Sequence, residues 1–399
     1  MSKRKKPTRQ GRSGDPRKRA AEEVSLSAAE AAPELEDEVA AALELGHPID
    51  IAMLASSLIT SLDPALAPPG SDLPAADEFV RMFLDSGGSE LVTLAWVAAQ
   101  LLPDPRLQTS ADLAAGPHSL PDWLLALSSA DVVSAWQTTD PLYDSTDIVV
   151  SLRVGDADLS VIGLIDFNSG GAIKDAFAVP VPLAAVQEAL SASGQTGMQT
   201  RDLDPADARV WLEQGIAAGL AAEPPFETDT WPQIRPLLQW ALRRCPTGGQ
   251  GWQRRVWTSS EVRAVVAEFA ASAEGAVAAD PVDQELLTDA LVLLGDGTYG
   301  DPLLLGAVKL EMGLTYRWPT ALHHDLDRLL GLPDLLIPYV RWAHAQRDIP
   351  ADDTDAALAA IAHRRAEFVR DVTALLGDED SVAGDGVDAG GVSAQDPTA

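Results

Sequence analysis

The chain has 399 residues, of which 46% are hydrophobic, and it carries 29 Lys and Arg against 60 Asp and Glu, a formal net charge of -31. At about 100–200 residues per domain, this length and apolar content predict two globular units and exclude a mostly disordered chain. The single cysteine excludes internal disulfides and the usual thiolate metal and redox sites, which favours a reducing cytoplasm. Because no apolar run reaches the roughly 18 residues of a membrane span and no apolar signal segment follows the N-terminus, the sequence predicts a cytoplasmic protein.

The N-terminal residues carry charge of both signs in separate blocks. Residues 1–20 hold four Lys and five Arg against the single acid Asp15, a local net charge of +8. Phosphate contacts by these cations would give weak nucleic-acid binding, although the acidic body opposes it within a Debye length of about 8–10 Å. Residues 21–46 hold eight acids and no base. We predict that residues 1–46 are a disordered basic and then acidic tail, in which 35–45 can form a helix.

A globular pattern begins near residue 47 and later changes period. Helices are predicted at 49–62, 74–85, 89–102 and 120–128. In residues 147–154 apolar side chains then alternate with polar ones, which is typical of a half-buried strand. A turn at 155–158 and a returning strand at 159–166 predict a hairpin. With the stretches 132–138 and 173–179, the pattern predicts a small antiparallel meander of three to four strands at about 132–179.

The second half reads as helical throughout. After a helix at 183–192, a polar connector at 191–200 is the predicted domain boundary. Thr258 and Glu261 have the spacing of a capping box at a helix start. Further helices are predicted at 205–221, 230–244, 259–273, 281–294, 303–313, 320–330, 334–346 and 354–376. The predicted fold class is α+β, predominantly α-helical, with a mixed domain at 47–195, an all-helical domain at 203–376 and a disordered acidic tail at 377–399.

The densest polar cluster of the predicted sheet is the segment 165–177. Its candidate ligand-binding residues are Asp166, Asn168, Gly170, Gly171, Lys174 and Asp175. The glycines would let a ligand approach the backbone, Lys174 would bind an anion, and Asp166 would act as a base. The alternative is ordinary turn chemistry, in which Lys174 pairs with Asp166 or Asp175 across the turn.

A second cluster interleaves tryptophan and arginine, with no acid between Asp229 and Glu261. Its members are Trp231, Arg235, Trp240, Arg243, Arg244, Trp252, Arg254, Arg255 and Trp257. Aromatic rings beside guanidinium groups suit single-stranded nucleic acid or another anionic partner. They equally suit a protein-binding face, or a purely structural role in which the rings belong to the core.

Complete catalytic and metal-binding patterns are missing from the sequence. His323 and Asp327 are one helical turn apart, but no third ligand has a supporting spacing. Cys245 lies beside Arg244, whose charge can lower the thiol pKa, yet no histidine partner is identifiable. We therefore predict no catalytic residue, no metal site and no cofactor.

Three segments resemble an uncharacterised family of actinobacterial cytoplasmic proteins. They are HPIDIAMLASSLITSLDP (47–64), VIGLIDFNSGGAIKDAFAVP (161–180) and YVRWAHAQRDIP (339–350). The middle segment departs from the family pattern, which has a histidine at the position of Phe167. The resemblance implies no activity.

The leading hypothesis is a cytoplasmic interaction or regulatory protein without evident catalysis, with an unidentified protein as its partner and no membrane association. One alternative is an enzyme or small-ligand binder with a site at 165–177, in which Asp166 or Lys174 would face a concave pocket. The other is a weak nucleic-acid binder that acts through residues 1–20.

Overall fold

The computed structural model describes residues 33–67, 70–71, 73–116, 120–192, 197–222, 228, 230–253, 255–295 and 300–383, with side chains to residue 375. It is 62% helical and contains a five-stranded antiparallel sheet, which confirms the α+β, mainly helical fold class. The helices of the first part are α1 (33–45), α2 (Pro48–Ser61), α3 (Ala76–Leu84), α4 (Ser89–Leu101), α5 (Pro105–Ala115), α6 (Asp122–Leu125), α7 (Leu183–Ala192), α8 (Pro205–Ala221) and α9 (Arg235–Arg244). Those of the second part are α10 (Ser259–Ala270), α11 (Pro281–Gly295), α12 (Ala307–Met312), α13 (Trp318–Ala321), α14 (Leu326–Ala345) and α15 (Ala351–Ala383).

The sheet contains the predicted meander and one further strand. Its strands are β1 (Asp131–Thr139), β2 (Ser145–Val154), β3 (Ala157–Asp166), β4 (Ala172–Val179) and β5 (Gln199–Leu203), in the order β4-β3-β2-β1-β5. The hairpin between β2 and β3 turns at Gly155, whose φ of 60° suits glycine. The sheet therefore has one strand more than the upper limit of the predicted three to four. The strand β5 pairs with β1 and begins in the predicted polar connector, where the sequence shows no apolar alternation.

Several predicted element boundaries are wrong for identifiable reasons. The helix α5 was not predicted because it buries only Leu107, Ala111 and Ala115, although Asp104 caps its first turn. The helices predicted at 320–330 and 334–346 are instead the short α13 and the single helix α14. Pro333 and Pro338 lie inside α14, where burial of the surrounding apolar side chains offsets the lost backbone hydrogen bonds.

The two predicted tails are partly helical. Residues 33–45 form α1, and Val39 and Ala42 join the first core. The helix α15 extends to Ala383, past the predicted limit of 376. Residues 1–32 and 384–399, including the basic block 1–20, lie outside the described residues.

Two main hydrophobic cores divide the chain. The first core runs from Val39 to Cys245 and includes one face of the sheet, whereas the second core runs from Val262 to Val372 and is all-helical. The helices α8 and α9 belong to the first core, which therefore continues past the connector at 191–200 as far as Cys245. On the opposite face of the sheet, Val186 of α7 packs against Trp136 and Val149. None of the helices in the described part is long and apolar enough to cross a bilayer.

A buried lysine joins the two parts. Lys309 of α12 is 2% exposed and lies 2.9 Å from Asp144, in the loop between β1 and β2. Its ammonium group also donates to the backbone carbonyls of Leu304 at 3.0 Å and Leu142 at 3.5 Å. The β1–β2 loop is thus held by the helical part of the molecule.

Candidate ligand-binding cleft

The 165–177 segment has the predicted turn chemistry. The Asp166 carboxylate accepts a hydrogen bond from the Asn168 backbone N–H at 2.8 Å and forms an ion pair with Lys174 at 3.5 Å. Gly170 and Gly171 have φ values of 71° and 81°, which favour glycine. This confirms the ion pair predicted across the turn.

The Asp175 carboxylate is also used within the fold. It accepts hydrogen bonds from the hydroxyl groups of Thr228 and Thr230, and so fixes the segment before α9. It also accepts from the Ala176 backbone N–H at 2.9 Å. Asp166, Lys174 and Asp175 do not appear among the residues that line the neighbouring cleft.

That cleft, of about 350 Å³, lies next to the turn. Ten residues line it: Gln137, Thr139, Tyr143, Phe167, Gln199, Thr200, Arg201, Trp211, Trp252 and Gln253. Its volume is in the range of sites for small organic molecules, about 300–1,000 Å³. Phe167 is the member of the 165–177 segment that faces it.

The polar floor of the cleft follows from strand register. Gln137 pairs with Arg201 across β1 and β5, and Thr139 pairs with Gln199. In an antiparallel sheet such directly paired residues lie on the same face. This is the face that buries Ala135 in the first core, so the core turns polar at one end of β1.

A side-chain hydrogen-bond network fixes this floor. The Gln137 amide donates to Thr139 at 2.9 Å and to Thr146 at 3.2 Å, while its oxygen accepts from the Nε of Arg201 at 2.7 Å. Gln137, Thr139 and Thr146 are all buried. Arg201 is exposed, and its hydrogen bond to Gln137 uses only Nε, so its terminal N–H groups have no acceptor among the described residues.

The aromatic wall is positioned by close backbone packing. Phe167 and Trp252 have ring centroids 4.7 Å apart with an interplanar angle of 31°. The Trp252 backbone N–H donates to the Gln214 side chain of α8 at 3.0 Å. A Cβ atom at Gly171 would lie 3.0 Å from the Trp252 ring, so glycine at this position leaves room for the indole.

The rim of the cleft carries backbone strain. Tyr143 has a φ of 54°, which is uncommon for a residue with a side chain, and its hydroxyl donates to Gln199 at 2.6 Å. The Asp140 carboxylate holds this loop by accepting from the backbone N–H groups of Leu142 and Asp144. The loop that Lys309 fixes therefore places Tyr143 at the cleft.

Two buried polar atoms near the cleft have no hydrogen-bond partner among the described residues. They are the indole N–H of Trp252 and the amide oxygen Oδ1 of Asn168. An unsatisfied buried donor costs about 1–3 kcal/mol, and a ligand acceptor would remove that cost for Trp252.

The Trp/Arg cluster is not one continuous face. Arg235 is 5% exposed and pairs with Asp63, and Trp231 and Trp240 are buried in the first core. Arg243 and Arg244 donate to backbone carbonyls of the same part of the molecule. These residues therefore make contacts within the fold, and the expected contact with a partner stays a prediction.

The later members of that cluster have different surroundings. The Arg255 guanidinium is 3.9 Å from the centre of the Trp257 ring and 3.3 Å from the carboxylate of Glu261. Both hydrogen bonds of the predicted capping box between Thr258 and Glu261 are present, which confirms it. Arg254 lies outside the described residues.

Cys245 does not have the properties of a reactive thiol. It is 3% exposed, and burial raises its pKa to about 11, which outweighs the influence of Arg209. A neighbouring arginine does lower this pKa, but burial has the larger effect, so the thiol is not activated.

The sequence did not predict most of the residues that line the cleft. Gln137, Thr139 and Arg201 lie on strands whose pairing brings them together, and that pairing depends on the unpredicted strand β5. One sequence signal could have indicated the cleft. Gln137 and Thr139 are polar residues at alternate positions of a strand, on the face that buries Ala135 in the first core.

Comparison of the chain with protein-family models, curated proteins and solved structures finds no match. The resemblance of the segments 47–64, 161–180 and 339–350 to an actinobacterial family stays a prediction.

Proposed function

We propose that the chain is a regulatory or interaction protein that binds a small molecule with a flat, hydrogen-bonding ring, such as a nucleoside, in the cleft beside Phe167 and Trp252. The observation that carries this proposal is the aromatic wall facing a floor of amide and hydroxyl groups. Sites of this kind combine apolar rings with a few fixed polar groups.

The lining groups define the ligand class. An aromatic wall stacks on planar heterocycles, which contributes about 1–3 kcal/mol per base. The Gln199 and Gln253 amides offer donors and acceptors that suit the polar edge of such a ring. The Trp252 N–H and the terminal N–H groups of Arg201 add donors, which favours a ligand with carbonyl or ring-nitrogen acceptors.

The same lining supports binding in preference to catalysis. The ten residues that border the cleft supply rings, amides, hydroxyls and one guanidinium, whereas general acid–base catalysis usually employs a carboxylate, imidazole or amine. A ligand-responsive interaction protein, with an unidentified protein partner, fits this arrangement.

Isothermal titration of the full chain with adenosine, guanosine, cytidine and uridine tests the proposal. We expect saturable binding of at least one nucleoside, weakened at least about tenfold by Trp252→Ala because a stacking surface is lost. Trp257→Ala is the matched control, since this tryptophan packs against the second core and does not line the cleft. Absence of binding by all four nucleosides, or equal binding by Trp252→Ala, would contradict the proposal.

A glycine pair provides a second arm of this experiment. Gly170 and Gly171 both have positive φ, so alanine strains the backbone at either position, but only at Gly171 would the added Cβ press on Trp252. Gly171→Ala should therefore weaken nucleoside binding more than Gly170→Ala does at similar stability. Circular dichroism of each variant verifies that it is folded.

A further inference from the structure

A second cleft, of about 430 Å³, lies among α4, α5, α6 and α9 of the first part. Its walls include Trp96, Gln100, Asp112, Trp240, Arg243 and Arg244. It shares no lining residue with the first cleft, so its chemistry stands independently of the proposed function.

Backbone carbonyls hold the two arginines in place. Arg243 donates to the carbonyl of Leu101 at the end of α4, and Arg244 donates to the carbonyls of Leu127 at 3.0 Å and Ser128 at 2.8 Å. Cations at helix ends are favourable, and this capping is the structural role of both side chains. A guanidinium has five N–H donors, so these bonds leave donors on both arginines unused.

Positive charge at this cleft is not neutralised by a direct ion pair. Neither Arg243 nor Arg244 forms a salt bridge within the part of the chain that the structure describes. Burial, together with the nearby cations Arg244 and Arg209, lowers the pKa of Arg243 to about 10. An anion in the cleft would relieve this repulsion.

The remaining polar groups fit the same ligand. Trp240 is 1% exposed, and its indole N–H has no acceptor among the described residues. The carboxylate on the wall, Asp112, accepts from the indole N–H of Trp96 at 2.8 Å. The lining thus presents two guanidinium groups and an unsatisfied indole donor against one carboxylate.

We infer that this cleft binds the phosphate group of a small molecule. Arginine is suited to phosphate because its N–H donors form a rigid fork. Here Arg243 is held at the end of α4, and Arg244 is held at the turn Ala126–Ser129. A tetrahedral oxyanion accepts hydrogen bonds from several directions at once. The limited volume and the net charge of -31 favour a small phosphate compound over a nucleic-acid backbone.

Titration calorimetry of the full chain with pyrophosphate at low salt tests this inference. We expect saturable binding to one site, weakened at least tenfold in Arg244→Gln and partly retained in Arg244→Lys, which keeps the charge but loses the fork. Arg255→Gln is the matched control, because Arg255 is exposed, pairs with Glu261 and does not line this cleft. Trp252→Ala should bind pyrophosphate normally, which separates this site from the nucleoside cleft.

Three results would overturn the inference. They are absence of saturable binding by the wild-type chain, equal affinity in a folded Arg244→Gln variant, and displacement of pyrophosphate by a single-stranded oligonucleotide at lower concentration than by a second phosphate compound. The last result would assign the arginines to a nucleic-acid backbone. Should Arg244→Gln fail to fold, the comparison of Arg244→Lys with wild type decides, since equal affinity in both would exclude a role for the guanidinium fork.

Discussion

The two cores differ in how much polarity they bury. Of the sixteen buried polar or charged side chains in the described part of the chain, thirteen lie before residue 262, and the second part contributes Thr288, Lys309 and His344. Both clefts border the first core. The sheet accounts for this difference, because its strands carry rows of Thr, Ser and Gln whose hydrogen bonds are satisfied across the strands. Both clefts thus lie where the core already accommodates polar groups.

The largest expected effect compares an arginine–aspartate pair in each part. Arg235 and Asp63 have side chains 6% and 28% exposed, whereas Arg365 and Asp334 are 45% and 59% exposed. We expect Arg235→Ala to lower the free energy of unfolding by about 3 kcal/mol, the lower end for a broken buried pair because Asp63 reaches solvent. Arg365→Ala should cost less than about 1 kcal/mol, since both partners are exposed. Urea unfolding of the two variants measures both losses in the free energy of unfolding, and equal losses would contradict the expected difference.

The second prediction concerns pH and the second core. Burial lowers the pKa of His344 to about 4 from 6.5, and its ring contacts the Thr354 hydroxyl at 2.9 Å. The folded state therefore favours the neutral ring, and the stability that this contributes is present above pH 6.5 and is lost as the pH falls through about 4. We expect a loss of about 3 kcal/mol over this window.

Urea unfolding of His344→Gln at several pH values tests the assignment. Most of this pH dependence should disappear in His344→Gln and persist in His363→Gln, because His363 is exposed. An unchanged slope in His344→Gln would show that another group is responsible.

The third prediction concerns Asp147 in the first part, where stability is lost as the pH rises and not as it falls. Burial, assisted by Asp140, raises the pKa of Asp147 to about 6 from 3.8. The stability associated with the protonated carboxyl is fully present below about pH 3.8 and is lost as the pH rises through 6. Because the side chain is half-buried, we expect Asp147→Asn to stabilise the protein at pH 7 by about 1–2 kcal/mol and to have little effect at pH 4.

Thermal and urea unfolding at both pH values measure this effect. Asp156→Asn in the exposed hairpin turn is the control, and it should leave the pH dependence unchanged. A destabilising effect of Asp147→Asn at pH 7 would mean that the charged carboxylate is favoured in the folded state, contrary to the direction given by burial.

The sequence predicted those elements whose signal lies within a single short segment. The β2–β3 hairpin, the capping box at Thr258 and most helices follow from residue spacing within one segment. The strand β5 and the continuous α14 depend on tertiary contacts that override weak or contrary local preference. For the first cleft, the sequence named Trp252 as a partner contact and included Phe167 in the 165–177 segment, but it did not bring the two together. Arg201, Trp211 and Trp252 lie in three separate segments that the sequence does not show to be neighbours.

The segment that carries Trp252 has a consequence for recognising related chains. At Gly249 an added Cβ would overlap the backbone carbonyl of Ala206 in α8, and at Gly251 it would overlap the Gln214 side chain that holds the Trp252 backbone. Backbone cannot move aside as a flexible side chain does, so position 249 admits only glycine in this packing. The short sequence Gly-Gln-Gly-Trp at 249–252 is therefore the fingerprint expected in a distant homologue that keeps this cleft, even where the surrounding composition has diverged.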